Sequence, residues 1–453
     1  MRSRTGVLTL VAIVSLGLTP DAQRGPSTTP AAWPHWRGPA RTGVAAGSAP
    51  VEWSDTKNVA WKVEIPGRGH STPVVWGDRL FLTTAVPTGR KAEAPAPAEG
   101  GGFGRGGRRG GDGGSGAGEE HRFEVIAINR ADGKVAWRQV AATATPHEGY
   151  HQMYGSFASN SPTTDGQRLY AFFGSRGLYV YDLDGRAVWQ KDFGLQMRMF
   201  NGFGEGVGPL VDDGRLILLF DHEDAGFLTM LDGATGREIW RTPRTDGTNW
   251  AAPIVVNHGG RKQVVVNSSR KVRGYDYETG RQIWEVAGLG RNTIPLPVQH
   301  QDLVLSMSGF ISPALLAIRL GREGDLAGTD AVVWTTNRGL SYSASPVLHE
   351  GKLYFITDTG MVSCLDVMTG QPVYQQARLP KPYNIKASPV LADGHLYFAT
   401  EDDDVVVARV GSTLDVVATN TLADQSFIAS PVVVDGDMFL RSRSHLFRIS
   451  GTR

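Results

Sequence analysis

The sequence has almost no cysteine. Its single residue of that type, Cys364, excludes an intramolecular disulfide, a CxxCH haem site and any multi-cysteine metal centre. It also lacks an excess of charge of either sign, since 46 Lys and Arg against 45 Asp and Glu leave a formal net charge of +1. That balance offers nothing to the phosphates of nucleic acid or to an anionic membrane surface. Long hydrophobic runs are missing as well, with one exception near the start. Val7 to Leu18 is too short to span a bilayer, which takes about 20 residues. Placed after Arg2 and Arg4 and before the small residue Ala22, it reads as the apolar part of a cleavable signal peptide over residues 1–22. No Cys follows it, so there is no lipobox. The mature chain is therefore expected in the periplasm or secreted, with no transmembrane span. Patterns of the G-x-S-x-G, H-E-x-x-H, P-loop and EF-hand types are absent, and no catalytic or metal-ligating set stands out.

What the sequence does contain is glycine, 57 residues of it, set between short apolar runs. That spacing favours an all-β fold. Self-similarity makes the reading specific. A Pro, a β-rich run, a polar turn and a second apolar run recur after Pro73, Pro162, Pro209, Pro253, Pro297, Pro346, Pro389 and Pro431. The successive intervals are 89, 47, 44, 44, 49, 43 and 42 residues, so only the first is anomalous. A second element follows most copies: an apolar strand, an acidic or amide residue, a Gly turn and a strand holding Trp. Its cleanest forms are AINRADGKVAW (127–137), MLDGATGREIW (230–240) and GYDYETGRQIW (274–284). Four short strands in a period of about 40–50 residues are the signature of a propeller blade. The expected fold is a single eight-bladed β-propeller of four-stranded blades over residues 51–453. Its last copy ends after a third strand at HLFRIS (445–450), and NVAWKVEI (58–65) supplies the missing fourth strand.

Trp61, Trp137, Trp189, Trp240, Trp284 and Trp334 occupy the same place in successive copies. Each has a large flat surface to bury and one N–H to satisfy, so they are expected to dock blade on blade. Residues 23–50 read as an irregular arm, with WPHWRGP (33–39) able to pack on the propeller surface. Residues 90–120 include GGGFGRGGRRGGDGGSG (100–116), which cannot bury a core and is expected to be a disordered insertion in blade one. An insertion around Gly321 to Thr329 lengthens blade five.

These repeats resemble the tryptophan-docking repeats of the pyrroloquinoline quinone (PQQ) family of propellers, over roughly residues 50–450. WPHWRGP is similar to a segment near the start of many exported bacterial members. The resemblance implies one of two functions: a quinoprotein dehydrogenase binding PQQ and Ca²⁺ on the axis, or a non-enzymatic, BamB-like scaffold. The dehydrogenases have an adjacent cysteine pair and long axial insertions, neither of which is present here. The leading expectation is therefore a non-enzymatic, monomeric binding protein with no cofactor, which uses one propeller face for an envelope protein, peptide or glycan. The alternative is a PQQ-dependent alcohol or sugar oxidoreductase with a degenerate site.

Candidate binding residues come from the loops that lead into the first strand of each copy. Three residues before each marker Pro stand His70, Ser159, Gly206, Trp250, Ile294, Ser343, Lys386 and Ile428. Nearby loops add His147, His151, Arg176, Phe200, Phe203, Arg270, Arg291, Tyr342 and Tyr383. Aromatics interleaved with cations suit a recognition surface. The acidic groups at 221–224 and 401–404 read as solvated turns.

Overall fold

The computed structural model describes Met1, residues 31–91 and residues 116–451. The expected signal peptide and most of the Gly-rich insertion lie outside the described residues. From Ala31 onward the described chain is all β apart from two single 3₁₀ turns, and its strands form eight sheets of four or five strands each. Each sheet is one blade of an eight-bladed propeller. In every blade the innermost strand begins one residue after its marker proline: Val74, Thr163, Leu210, Ile254, Val298, Val347, Val390 and Val432. Proline has no N–H to give, so it fits the last position before a ladder begins.

The hairpin joining the first two strands of a blade turns on pairs such as Asp213–Gly214, Asp393–Gly394 and Asp435–Gly436, all at positive φ. That is the primed turn whose twist matches the flanking strands. The turn before the fourth strand is built differently. Oδ1 of Asp232, Asp276 and Asp366 accepts both the amide and the hydroxyl of a Thr three residues on, at 2.7–3.0 Å. The glycine that follows each Thr sits at φ 71°. A Cβ on Gly236, Gly280 or Gly370 would also lie within 2.9 Å of the tryptophan ring of the preceding blade. Glycine is thus required at these positions twice over, by backbone angle and by contact.

The tryptophans over these turns bond across the blade boundary. Nε1 of Trp61, Trp137, Trp189, Trp240 and Trp334 donates to the carbonyls of Arg130, Leu183, Gly233, Tyr277 and Val367, at 2.9–3.1 Å. Trp284 differs from the sequence expectation. Its Nε1 donates to Gln263 Oε1 of its own blade at 2.8 Å. The next blade has an insertion in place of the Asp–Gly turn. That insertion folds back, pairing Gly324–Asp325 parallel to Trp284 and Glu285 as a fifth strand.

Two expectations about irregular segments are corrected. The first concerns 90–120. The strands Arg79–Lys91 and Glu119–Asn129 continue into it, with Lys91 opposite Glu119. Cross-strand bonds such as Thr88 Oγ1 to the Glu120 carbonyl, 3.1 Å, carry the hairpin beyond the blade. The second concerns WPHWRGP, which packs in the channel and not on the outer surface. Ala32–Trp33 adds to the inner strand of blade one, opposite Trp76 and Val75. The Pro34 carbonyl accepts from Thr163 and Thr164 of blade two, and Arg41 reaches Val211 and Asp212 of blade three. Arg37, fully buried, donates to the carbonyls of Pro346 at 2.9 Å and Pro389 at 2.7 Å, in blades six and seven. Ala45 then pairs with Leu391 before the chain leaves toward blade eight. The physical reason is that two inner-strand carbonyls face the axis without ladder partners, and a guanidinium fork can satisfy both.

The ring closes as the sequence pattern suggests. Val59–Glu64 pairs antiparallel with His445–Ser450, from Val59 opposite Ile449 to Glu64 opposite His445. Leu440, Phe447 and Ile449 of this last blade share one buried cluster with Leu80, Leu82 and Ile126 of blade one.

Two stability outcomes follow. A chain beginning at Pro66 should lose cooperative thermal unfolding, whereas one beginning at Val51, which keeps the closing strand, should fold with a lowered Tm. Equal melting of the two would refute closure by this strand. Arg37→Ala should cost on the order of 3 kcal/mol, because two buried carbonyls lose their donor. The check is a shift of the denaturant midpoint at constant m-value.

Candidate functional site

The loops leading into the inner strands all emerge on one face and converge on the axis. They enclose a cavity of about 450 Å³, within the range of small-ligand sites. All eight residues that stand three places before the marker prolines line it. Trp36 is the one cavity-lining residue from the channel-filling arm, so the arm closes the cavity on the side away from those loops.

Of the seventeen candidate residues, twelve line this cavity: these eight together with His151, Phe200, Phe203 and Tyr342. Trp250 Nε1 donates to the Gly204 carbonyl at 2.8 Å, which fixes the plane of its ring. Tyr342 stacks on Phe310 with centroids 5.1 Å apart and planes inclined by 28°. His151 stacks on Tyr154 at 4.6 Å. Lys386 Nζ lies 2.8 Å from Asp358 Oδ2 and 4.5 Å from the Tyr154 ring centre. The same Asp358 carboxylate accepts both the amide and the hydroxyl of Ser343.

The other five sit elsewhere. His147 and Arg176 line a much smaller neighbouring cavity. There His147 Nε2 bonds to the Met197 carbonyl at 2.8 Å and Nδ1 lies 2.7 Å from Arg176. This makes Nε2 the protonated nitrogen and Nδ1 the acceptor from arginine. Burial and the Arg176 charge hold this imidazole below its usual pKa. Tyr383 is buried beneath the face, its hydroxyl donating to Asp404. Arg291 is exposed and approaches Phe200, a cavity residue, at 6.0 Å. Arg270 is exposed and does not line the cavity.

The acidic groups at 221–224 and 401–404 are not simply solvated turns, since Asp221 and Asp404 are buried and neighbouring side chains engage them. Asp221 is held by Arg244 through two bonds of 2.7 Å, and Asp224 by Arg198. Glu401 pairs with Arg443 and Asp404 with Lys381. Among the described residues no group of three or more His, Cys, Asp or Glu side chains converges as metal ligands would. A calcium-bound quinone needs carboxylate and amide oxygens aimed at one point. The cavity's carboxylates, Glu205 and Asp358, are bound instead to Ser175, Ser343 and Lys386, so the residues present do not fit that group.

Sequence reasoning passed over Glu205, Phe310 and Asp358 and placed Trp36 on the outer surface, although all four are cavity residues. Glu205 lies in NGFGEGVGP, where surrounding glycines give no periodic signal. Its oxygens accept from the Ser175 amide at 2.6 Å and hydroxyl at 2.5 Å. Burial nevertheless pushes its pKa up to about 7.

The family model described as outer membrane protein assembly factor BamB matches residues 121–294 and 322–415, more than half of the chain. The chain belongs to this family of PQQ-like repeat propellers. Among solved structures, BamB from Moraxella catarrhalis is 13 % identical, with a TM-score of 0.50, covering 71 % of this chain and 90 % of that one. The quinohemoprotein alcohol dehydrogenase from Comamonas testosteroni is 10 % identical, with a TM-score of 0.58 and coverage of 93 % and 81 %. A computationally designed protein, Ika8, is 10 % identical, with a TM-score of 0.52 and coverage of 73 % and 92 %. At these identities the likeness concerns the fold alone. No curated protein sequence matches. No described helix is long and apolar enough to cross a membrane.

Glu205 gives a pH outcome. Its folded pKa of about 7 exceeds the unfolded value of 4.5, so the folded state binds its proton more tightly. The stabilisation this gives is full below pH 4.5 and is lost as pH rises through about 7. Glu205→Gln carries no titration. The stability difference between the two proteins, read from urea midpoints, should therefore change across that window. A difference that is flat with pH would contradict the assignment.

Proposed function

We propose that this BamB-family propeller is an extracytoplasmic, non-enzymatic binding protein that presents its lead-in-loop face to an envelope protein, peptide or glycan. One observation carries the reading: loops from all eight blades wall an aromatic-rich cavity on the axis, and the arm closes it from below. A rigid repeat scaffold with variable loops is where such proteins place specificity. The rim supports contact with a larger partner. Met153 and Ile311, 55 % and 60 % exposed, sit beside the cavity residues Tyr154 and Phe310. Ile311 and Ser312 both hold positive φ, which is costly for a β-branched side chain and is the kind of strain found at binding sites. The description of the family, an outer membrane protein assembly factor, supports an envelope role. The oxidoreductase reading has less support, because both cavity carboxylates already have protein partners.

The test is retention of envelope-extract components by the immobilised protein. Replacing both Trp250 and Tyr342 by Ala should weaken binding of the retained partner by about 2 kcal/mol or more while the fold stays intact. Unchanged binding with only a lowered Tm would overturn the proposal.

A further inference from the structure

The axial cavity is lined by aromatic rings and by hydroxyls, with the stacked His151–Tyr154 pair beside Lys386. Blades three to six supply rings: Phe200, Phe203, Trp250, Phe310 and Tyr342. Blades seven, eight, one and two supply hydroxyls, from Ser388, Ser430, Thr72 and Ser161, each the residue directly before a marker proline. Each of these oxygens accepts an amide N–H from the neighbouring blade. Ser345 N bonds to Ser388 at 2.8 Å, Ser388 N to Ser430 at 3.1 Å, Ser430 N to Thr72 at 3.0 Å and Thr72 N to Ser161 at 2.9 Å. The amides fix the oxygens in a crescent. Among the described residues none of the four hydroxyls has a protein acceptor for its own proton. Lys386 extends the row, with one ammonium proton on Asp358 and two in reserve.

The cavity also contains one unanswered acceptor. His70 is 7 % exposed, and its Nε2 has no partner. Burial and the charges of Arg68, Arg441 and Arg443 hold its pKa well below the usual histidine value, so the ring is neutral and one of its nitrogens carries a free lone pair. A ligand that suits this cavity must therefore do three things: cover aromatic rings, accept from several donors, and donate to His70. A carboxylate cannot donate, an ammonium cannot accept, and a hydrocarbon does neither. A sugar ring does all three, since each hydroxyl both donates and accepts and one face of the ring is C–H.

We propose that the axial cavity is a saccharide site. It takes a pyranose or short oligosaccharide with its C–H face on Trp250 and Tyr342 and its hydroxyls on the Thr72–Ser161–Ser388–Ser430 crescent, Lys386 and His70. The proposal rests on the binding-protein reading above and names the ligand class of that same cavity. Closure beneath by Trp36 limits the site to a compact ligand or a chain end.

The test is titration of the full chain with glucose, N-acetylglucosamine, maltose, cellobiose and chitobiose, followed by tryptophan fluorescence and calorimetry. At least one sugar should quench tryptophan emission saturably and give matching heat. Trp250→Ala should weaken that binding at least tenfold, and Trp250→Phe should recover part of it. His70→Leu should likewise weaken it, with Tm recorded for each variant. A measurement on the unmodified protein guards against misfolded variants. The fully O-methylated form of the sugar that binds keeps its ring and acceptors but has no donors, and it should fail to bind. If no sugar in the panel binds, or if the methylated sugar binds as well as its parent, the saccharide assignment falls. If sugars fail while Trp250-dependent retention of an envelope peptide or protein persists, the binding reading stands alone. If both fail, both fall.

Discussion

Every feature of this molecule depends on one pairing, that of Val59–Glu64 with His445–Ser450. A propeller blade contacts only its neighbours, so an open ring would expose one blade face on each side of the gap, together with an unpaired edge. Closing the ring with a strand from the opposite end of the chain removes both liabilities. It also ties a strand near the start of the described chain to the last strand, so that the eight lead-in loops are brought to one axis. Without that constraint neither the cavity nor the channel beneath it would have a fixed shape.

The arm exploits the closed ring in a second way. Of the eight inner strands only that of blade one gains a partner strand from the described arm, Ala32–Trp33. Arg37 supplies donors where the ladder cannot, with two carbonyls taking the two ends of one guanidinium. Burial without a carboxylate partner pulls its pKa down to about 9. Gly43 makes room for this group, since a Cβ there would lie 1.9 Å from Arg37 Nη2. Trp33 and Trp36 fill the remaining space, so that a through-channel becomes a blind cavity.

Inside that cavity the balance of charge is nearly neutral and each charged group has a partner. Lys386 is offset by Asp358, Glu205 is held by Ser175 with a raised pKa, and His70 stays uncharged. What is left for a ligand is aromatic surface and hydroxyl protons. Such a site selects by shape and hydrogen bonding more than by charge.

The sequence by itself determined the blades. Proline before each inner strand and the Asp–x–x–Thr–Gly turns act locally, within a few residues, and most of the recurrent tryptophans reach only the next blade, so their spacing in the chain reports their spacing in the fold. The same logic located the eight residues around the axis, because each stands at a fixed offset from its proline. Only the tertiary structure decided the rest. Whether Tyr383 faces the cavity or lies buried on Asp404 depends on packing within blade seven, and no offset reveals it. Trp284 bonds within its own blade because the next blade carries an insertion where its partner turn would be. Arg37 and Trp36 read as surface residues because their partners lie more than three hundred residues away or on the far side of the ring. Glu205 was invisible among glycines, since its environment comes from Ser175 and from burial that only the assembled ring provides.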